Sequence, residues 1–212
     1  MKTLFNLREE YTQDELDENQ MPESPIEQFN KWMRDAIDAE LSEPNAMVLA
    51  TCTRDGKPSA RIVLLKEVSA DGFIFFTNYM SRKGHELSEN SASALVFDWH
   101  EIERQVRIEG NIEKVSETDS DTYFDSRPSN SRLGAWASPQ SRVLNNREEL
   151  ENLQKEFEEK FANRAIPRPP HWGGYVLHPT SIEFWQGRPG RLHDRILYTL
   201  TSSGWKKQRL AP

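Results

Sequence analysis

The 212 residues include 34 acidic and 27 basic side chains, for a net charge of −7, and 36% are hydrophobic. That length suits one substantial domain, and the modest apolar supply favours a homodimer that buries further surface. The acidic balance argues against nucleic-acid binding, and no run approaches the roughly 20 apolar residues of a membrane span. The N-terminus lacks the apolar core of a signal peptide, so a cytoplasmic protein is expected. The single Cys52 can form no internal disulfide, lies in an apolar run and reads as a buried, inert thiol; no Cys/His spacing suggests a metal site.

Residues 1–23 are polar and acid-rich without apolar periodicity, which predicts a flexible N-terminal segment ahead of a single domain over 24–212. Ser24-Pro25-Ile26-Glu27 reads as a capped helix start, with Ile26, Phe29, Met33 and Ile37 as the buried stripe. From Ala46 the period changes to that of strands. Runs at 47–53, 59–66 and 73–77 are separated by Asp55-Gly56 and Asp71-Gly72, which are hairpin signals and imply antiparallel pairing.

A short helix over 81–89 interrupts the strands, which resume at 93–98 and 104–115. Residues 118–126 read as a helix ending before Pro128. Asn146 with Glu149 opens a longer one, striped by Leu150, Leu153, Phe157 and Phe161. After a stiff proline-rich connector, strands are expected near 174–177, 182–186, 196–200 and 205–210. The pattern predicts an α+β fold: a closed or split antiparallel β-barrel with helices at its margins.

Basic residues fall in two islands within this acidic chain. Between Asp125 and Glu148 there is no acid, yet Arg127, Arg132, Arg142 and Arg147 lie inside; Arg188, Arg191 and Arg195 form the second island. Local positive charge of this kind suits a small anionic ligand. In Arg61-Ile62-Val63-Leu64-Leu65-Lys66, a separation of five along one strand places Arg61 and Lys66 on opposite faces. Phe76-Thr77-Asn78 leads into Ser81-Arg82-Lys83-Gly84 at a helix start, where a phosphate meets free N–H groups and a favourable dipole. Gln105, on an alternating strand, can both donate and accept at a ring edge. Tyr123 and Arg127, four apart, share one face of a helix end. Phe184-Trp185-Gln186-Gly187 is followed by Arg191-Leu192-His193-Asp194-Arg195, two arginines and a histidine crowded beside a tryptophan.

Together with Gln140-Ser141 and the terminal Arg209-Leu210-Ala211-Pro212, these segments resemble the pyridoxine/pyridoxamine 5′-phosphate oxidase family, over essentially the whole chain from Arg8. The resemblance implies a split barrel that binds FMN at the interface of a homodimer. It implies FMN contacts from Arg61, Ile62, Val63, Leu64, Leu65, Lys66, Phe76, Thr77, Arg82, Lys83, Gln105, Gln140, Ser141, Trp185 and Arg195. Lys66, Tyr123, Arg127 and Ser131 would grip the substrate phosphate. Arg191, Leu192 and His193 would lie over the pyridine ring, with Arg191 and His193 as the catalytic pair. Arg8 and Tyr11 match a segment that folds over the substrate, although Glu9 stands where a basic residue is frequent.

The implied reaction oxidises C4′ of pyridoxine or pyridoxamine 5′-phosphate to the aldehyde. Hydride passes to flavin N5, and O2 then reoxidises the flavin to give H2O2. A flavin-holding module would show a degraded substrate set, whereas Lys66, Tyr123, Arg127, Ser131, Arg191 and His193 all remain. A reductase of the wider flavin-barrel group, possibly using a deazaflavin, would generally lack the Arg191-Leu192-His193 tail.

Overall fold

The computed structural model describes residues 4, 7 and 10–212. Helix α1 (Pro25–Asp38) starts as its sequence dictates: the Ser24 hydroxyl accepts from the Glu27 N–H at 3.4 Å and Pro25 takes the first turn. Its buried face differs from the expected stripe. Phe29, Trp32 and Ala36 are buried, Ile26 and Met33 flank them, and Ile37 is 55% exposed. Seating the large rings of Phe29 and Trp32 together outweighs an isoleucine in the last turn. Phe29 meets Phe73 and Phe97 edge-on at 4.9 and 5.0 Å, and Trp32 meets Phe184 at 5.2 Å, so α1 plugs the sheet's concave side.

Nine strands form one antiparallel sheet. They are β1 (Ala46–Cys52), β2 (Pro58–Leu64), β3 (Glu67–Val68), β4 (Phe73–Asn78), β5 (Ala92–Trp99), β6 (Arg104–Lys114), β7 (Trp172–Gln186), β8 (Asp194–Thr201) and β9 (Gly204–Leu210). The order is β2-β1-β5-β6-β7-β4-β3, with β8 on β7 and β9 on β8. The sheet curls until β2 approaches β4, which is the split barrel. Both Asp-Gly turns join strands as expected. Gly72, at φ +148°, is obligatory because a Cβ there would lie 1.9 Å from the Leu177 carbonyl oxygen. Cys52 ends β1 half-buried rather than buried, its sulfur accepting from Asn90 Nδ2 at 3.0 Å.

The two strands expected at 174–177 and 182–186 are one, β7. Pro179 does not break it, because the register against β6 shifts there between Glu109 and Gly110 and Thr180 bulges out, its hydroxyl donating to the Glu109 carbonyl. A proline has no N–H to lose at such a place. The bend lets the first half of β7 pair with β4 and the second half with β8.

Helices α2 (Arg82–Glu89), α3 (Glu117–Ser126) and α5 (Arg147–Phe161) match their sequence signals. Helix α4 (Ser129–Ala137) does not; its serines and Gly134 carry no apolar period, and it is held by Trp136 packing on Phe157 and Phe161 of α5 at 5.6 and 5.5 Å. The α5 stripe is half-buried. In the N-terminal segment, Leu16 and Met21 enter the core, while Tyr198 donates to the Pro22 carbonyl at 2.7 Å.

Candidate active site

Between β2, the end of β4, the start of α2 and the α3–α4 corner opens a cleft of about 990 Å³. It gathers Arg61, Ile62, Val63, Leu64, Lys66, Phe76, Thr77, Arg82, Lys83, Tyr123, Arg127, Ser131, Gln140 and Ser141 from segments distant in sequence. Leu65 is absent from that wall because its side chain is 6% exposed and points into the core. Arg61 and Lys66 do not serve opposite faces. Strand β2 ends at Leu64, and the Lys66 N–H already donates to Ile74 of β4, so the chain crosses the split and both cations line one cleft.

One end of the cleft is built for an anion. Ser81 caps α2, its hydroxyl accepting from the Gly84 N–H at 3.3 Å. Lys83 is buried and donates to Thr77 Oγ1 at 3.0 Å, Ser81 Oγ at 3.3 Å and Gln140 Oε1 at 2.7 Å. Burial, with Arg61 nearby, lowers its ammonium pKa to about 8. Arg82, on the exposed side of the same turn, is held by Glu86 at 2.8 Å.

The other end is an aromatic wall. Phe76 stacks on Tyr123 at 3.9 Å and on Trp172 at 5.6 Å. The Arg127 guanidinium lies 4.6 Å over Trp172, a cation–π contact. Its Nη1 is buried without a hydrogen-bond partner among the described residues, and burial lowers its pKa. A buried unmet donor costs about 1–3 kcal/mol, more when charged, so an anionic acceptor fits here. The acceptor-free Arg127, the α2 N-terminus and Lys83 together suit a ligand with phosphate groups.

The remaining predicted residues form a second group elsewhere on the chain. Trp185 lies 4.6 Å from His193, and Tyr11 stands edge-on to both at 5.7 and 5.5 Å. Gln105, Trp185 and Tyr11 share a small cavity of about 260 Å³. His193 Nδ1 accepts from the Arg188 N–H at 3.2 Å, leaving Nε2 to carry the proton; burial and Arg191 hold its pKa below the usual value. Arg195 donates to Glu183 and to the Ala211 carbonyl, each at 2.8 Å. Arg191, at φ +62°, and Leu192 are exposed, whereas Arg8 lies outside the described residues. Trp172 of the cleft and Trp185 of the second group occupy opposite ends of β7, thirteen residues apart. At about 3.3 Å per residue that is roughly 40 Å of strand contour, longer than a mononucleotide.

Sequence reasoning missed Glu86, Glu183 and Trp172. Glu86 had a signal, four residues after Arg82 on one helix face. Glu183 had none, because its partners come from β6 and β8.

Residues 33–160 match the family described as pyridoxamine 5′-phosphate oxidase, and 172–212 match the pyridoxine 5′-phosphate oxidase C-terminal dimerisation region. The pyridoxine/pyridoxamine 5′-phosphate oxidase of Nostoc punctiforme is 59% identical over 212 residues, covering 100% of this chain and 99% of the relative. That of a Cyanothece species is 57% identical over 210 residues, covering 99% of each. The chain belongs to the pyridoxine/pyridoxamine 5′-phosphate oxidase family. It is accordingly an enzyme, a flavoprotein oxidoreductase of vitamin B6 biosynthesis.

Among solved structures, PhzG from Burkholderia lata, in complex with tetrahydrophenazine-1-carboxylic acid, is 34% identical with a TM-score of 0.87, covering 92% of this chain and 95% of that one. An FMN-binding protein of Nostoc punctiforme related to the family shares the fold at 16% identity, with a TM-score of 0.72 over 91% of this chain and 100% of that one. The dimerisation region spans β7 to β9 and so contains most of the second residue group. Among the described residues no helix is long and apolar enough to cross a membrane.

Proposed function

We propose that the protein oxidises pyridoxine 5′-phosphate or pyridoxamine 5′-phosphate to pyridoxal 5′-phosphate with FMN as cofactor and O2 as final acceptor, in a site completed by two copies of the chain. The observation that carries this reading is Arg127, a half-buried cation whose Nη1 is buried with no acceptor among the described residues, on an aromatic wall in the same cleft as the capped start of α2. Two phosphate-bearing ligands then have two separate anchorages: Arg82 and Lys83 for FMN, and Lys66, Tyr123, Arg127 and Ser131 for the substrate. When bound, FMN supplies the two-electron acceptor for oxidation at C4′ and the route by which O2 becomes H2O2.

The chain itself binds and orients. Phe76, Tyr123 and Trp172 exclude water around Arg127 and so strengthen its hold on the phosphate. His193 is neutral at pH 7 and offers Nε2–H to the substrate ring, beside Arg191. The contour between the ends of β7 supports a site in which the second group, with Gln105, Trp185, Arg191, His193 and Arg195, comes from the partner copy.

Purified protein should be yellow and release H2O2 and the aldehyde from either phosphorylated substrate. Arg127→Ala should lower kcat/KM by about 10- to 100-fold, one lost hydrogen bond to a charged group, while the poor activity on unphosphorylated pyridoxine hardly changes. A colourless protein that ignores added FMN, or equal loss on both substrates, would overturn the reading.

A further inference from the structure

Glu86 sits on the inward face of α2 and is 4% exposed. A buried carboxylate is costly unless every lone pair is met. Here Oε2 accepts the Thr51 and Ser59 hydroxyls and Arg61 Nη2 at 3.2 Å, while Oε1 accepts Arg82 Nε at 2.8 Å. Because both hydroxyls give their protons to Glu86, their oxygens are left to accept from Arg61. Arg61 Nη1 also donates to the Leu49 carbonyl at 3.0 Å, which completes its anchorage. Burial raises the Glu86 pKa, but hydrogen bonds from Ser59, Thr51, Arg82 and Arg61 outweigh it and bring the value down to about 2.

A permanent negative charge beside an anion site is an electrostatic handicap, so its presence there calls for a geometric reason. Arg82 supplies one. It is gripped at Nε alone, its two Nη groups make no hydrogen bond among the described residues, and it lines the cleft. We infer that Glu86 is a positioning residue for the phosphate of the flavin: it locks Arg61 against β1 and aims the outer nitrogens of Arg82 into the cleft. This rests on the FMN reading above. A carboxylate that merely stapled α2 to the sheet would stabilise the fold without distinguishing phosphorylated from unphosphorylated flavin.

The test is binding to the flavin-free protein, followed by flavin fluorescence quenching, for FMN and for riboflavin. Glu86→Gln should weaken FMN by about 10- to 100-fold, the equivalent of about one hydrogen bond to a charged group, and riboflavin by less than about 3-fold. In an Arg82→Ala background the effect of Glu86→Gln on FMN should shrink, since the two act as one unit. If Glu86→Gln does not unfold cooperatively on heating, Glu86→Asp replaces it, keeping the charge but unable to span both arginines. Equal weakening of both flavins would make Glu86 a staple. Tighter FMN binding would make it a simple repulsive charge, and full additivity with Arg82→Ala would break the link between them. Each of these overturns the inference. A wild-type protein that binds riboflavin and FMN equally poorly would instead overturn the FMN reading, and this inference with it.

Discussion

Lys83 places three ammonium protons on three oxygens, from β4, the α2 cap and the 138–141 loop. The sequence marks it as the basic residue of a helix start, but not as a buried one, because burial depends on Gln140 arriving from 57 residues away. Its pKa of about 8, lowered by desolvation and by Arg61, gives a signed expectation. Between pH 8 and its ordinary value near 10.5 the unfolded chain holds a proton that the folded one has released. This group therefore makes the flavin-free fold more stable as pH rises through that window. Binding of an anion has the opposite sense: FMN affinity should be flat between about pH 7, where the phosphate is already a dianion, and about pH 8, and fall above that as the ammonium is lost, whereas riboflavin affinity should not. Titration of Kd against pH for wild type and Lys83→Met checks this, and a slope unchanged in Lys83→Met would refute it. The other residues follow the same division. Arg61, Lys66, Tyr123 and Arg127 were legible as cations and hydroxyls with a purpose, yet their common cleft was not, because the chain leaves β2 after Leu64 and Lys66 already bonds to Ile74 of β4.

At the scale of elements, local signals fared best where a single chemical group sets the boundary. Ser24, Ser81 and Asn146 each cap the helix they precede, accepting from the N–H three residues on. They fared worst where packing decides. Helix α4 exists because α5 covers it, and β7 runs unbroken because the bulge at Thr180 absorbs Pro179. Helix α2 also depends on a contact that sequence does not reveal. A Cβ on Gly84 would lie 2.0 Å from the Tyr79 carbonyl oxygen, so Gly84→Ala must push the first turn of α2 away from β4. Overpacking of this kind costs about 1–3 kcal/mol. Thermal unfolding should show a lower Tm together with weaker FMN binding, since the displaced turn carries Ser81, Arg82 and Lys83. Wild-type values for both would show that the turn yields without consequence.

For the whole molecule, the decisive relation is the separation of the two residue groups along β7. If each site joins the cleft of one copy to the second group of its partner, a mixed dimer of Arg127→Ala and His193→Ala chains has one site with both defects and one with neither. Subunit exchange between the two weakly active variants should then restore activity, about one intact site per mixed dimer. Light scattering should give about twice the chain mass of 24.6 kDa. A mixture no more active than its parents would place each site within one chain. By itself the sequence determined the antiparallel α+β class, the capped helices, the Asp-Gly hairpins and the family, because these rest on short-range geometry and on motifs contiguous in the chain. Only the tertiary structure decided that Arg61 and Lys66 share a cleft, that Arg127 buries an Nη1 with no acceptor among the described residues, that Glu86 ties two arginines together, and that Trp172 and Trp185 stand toward opposite ends of one strand. Each of these depends on contacts between segments distant in the chain, brought together by a sheet that bends at the Thr180 bulge and packs its core on Phe29 and Trp32.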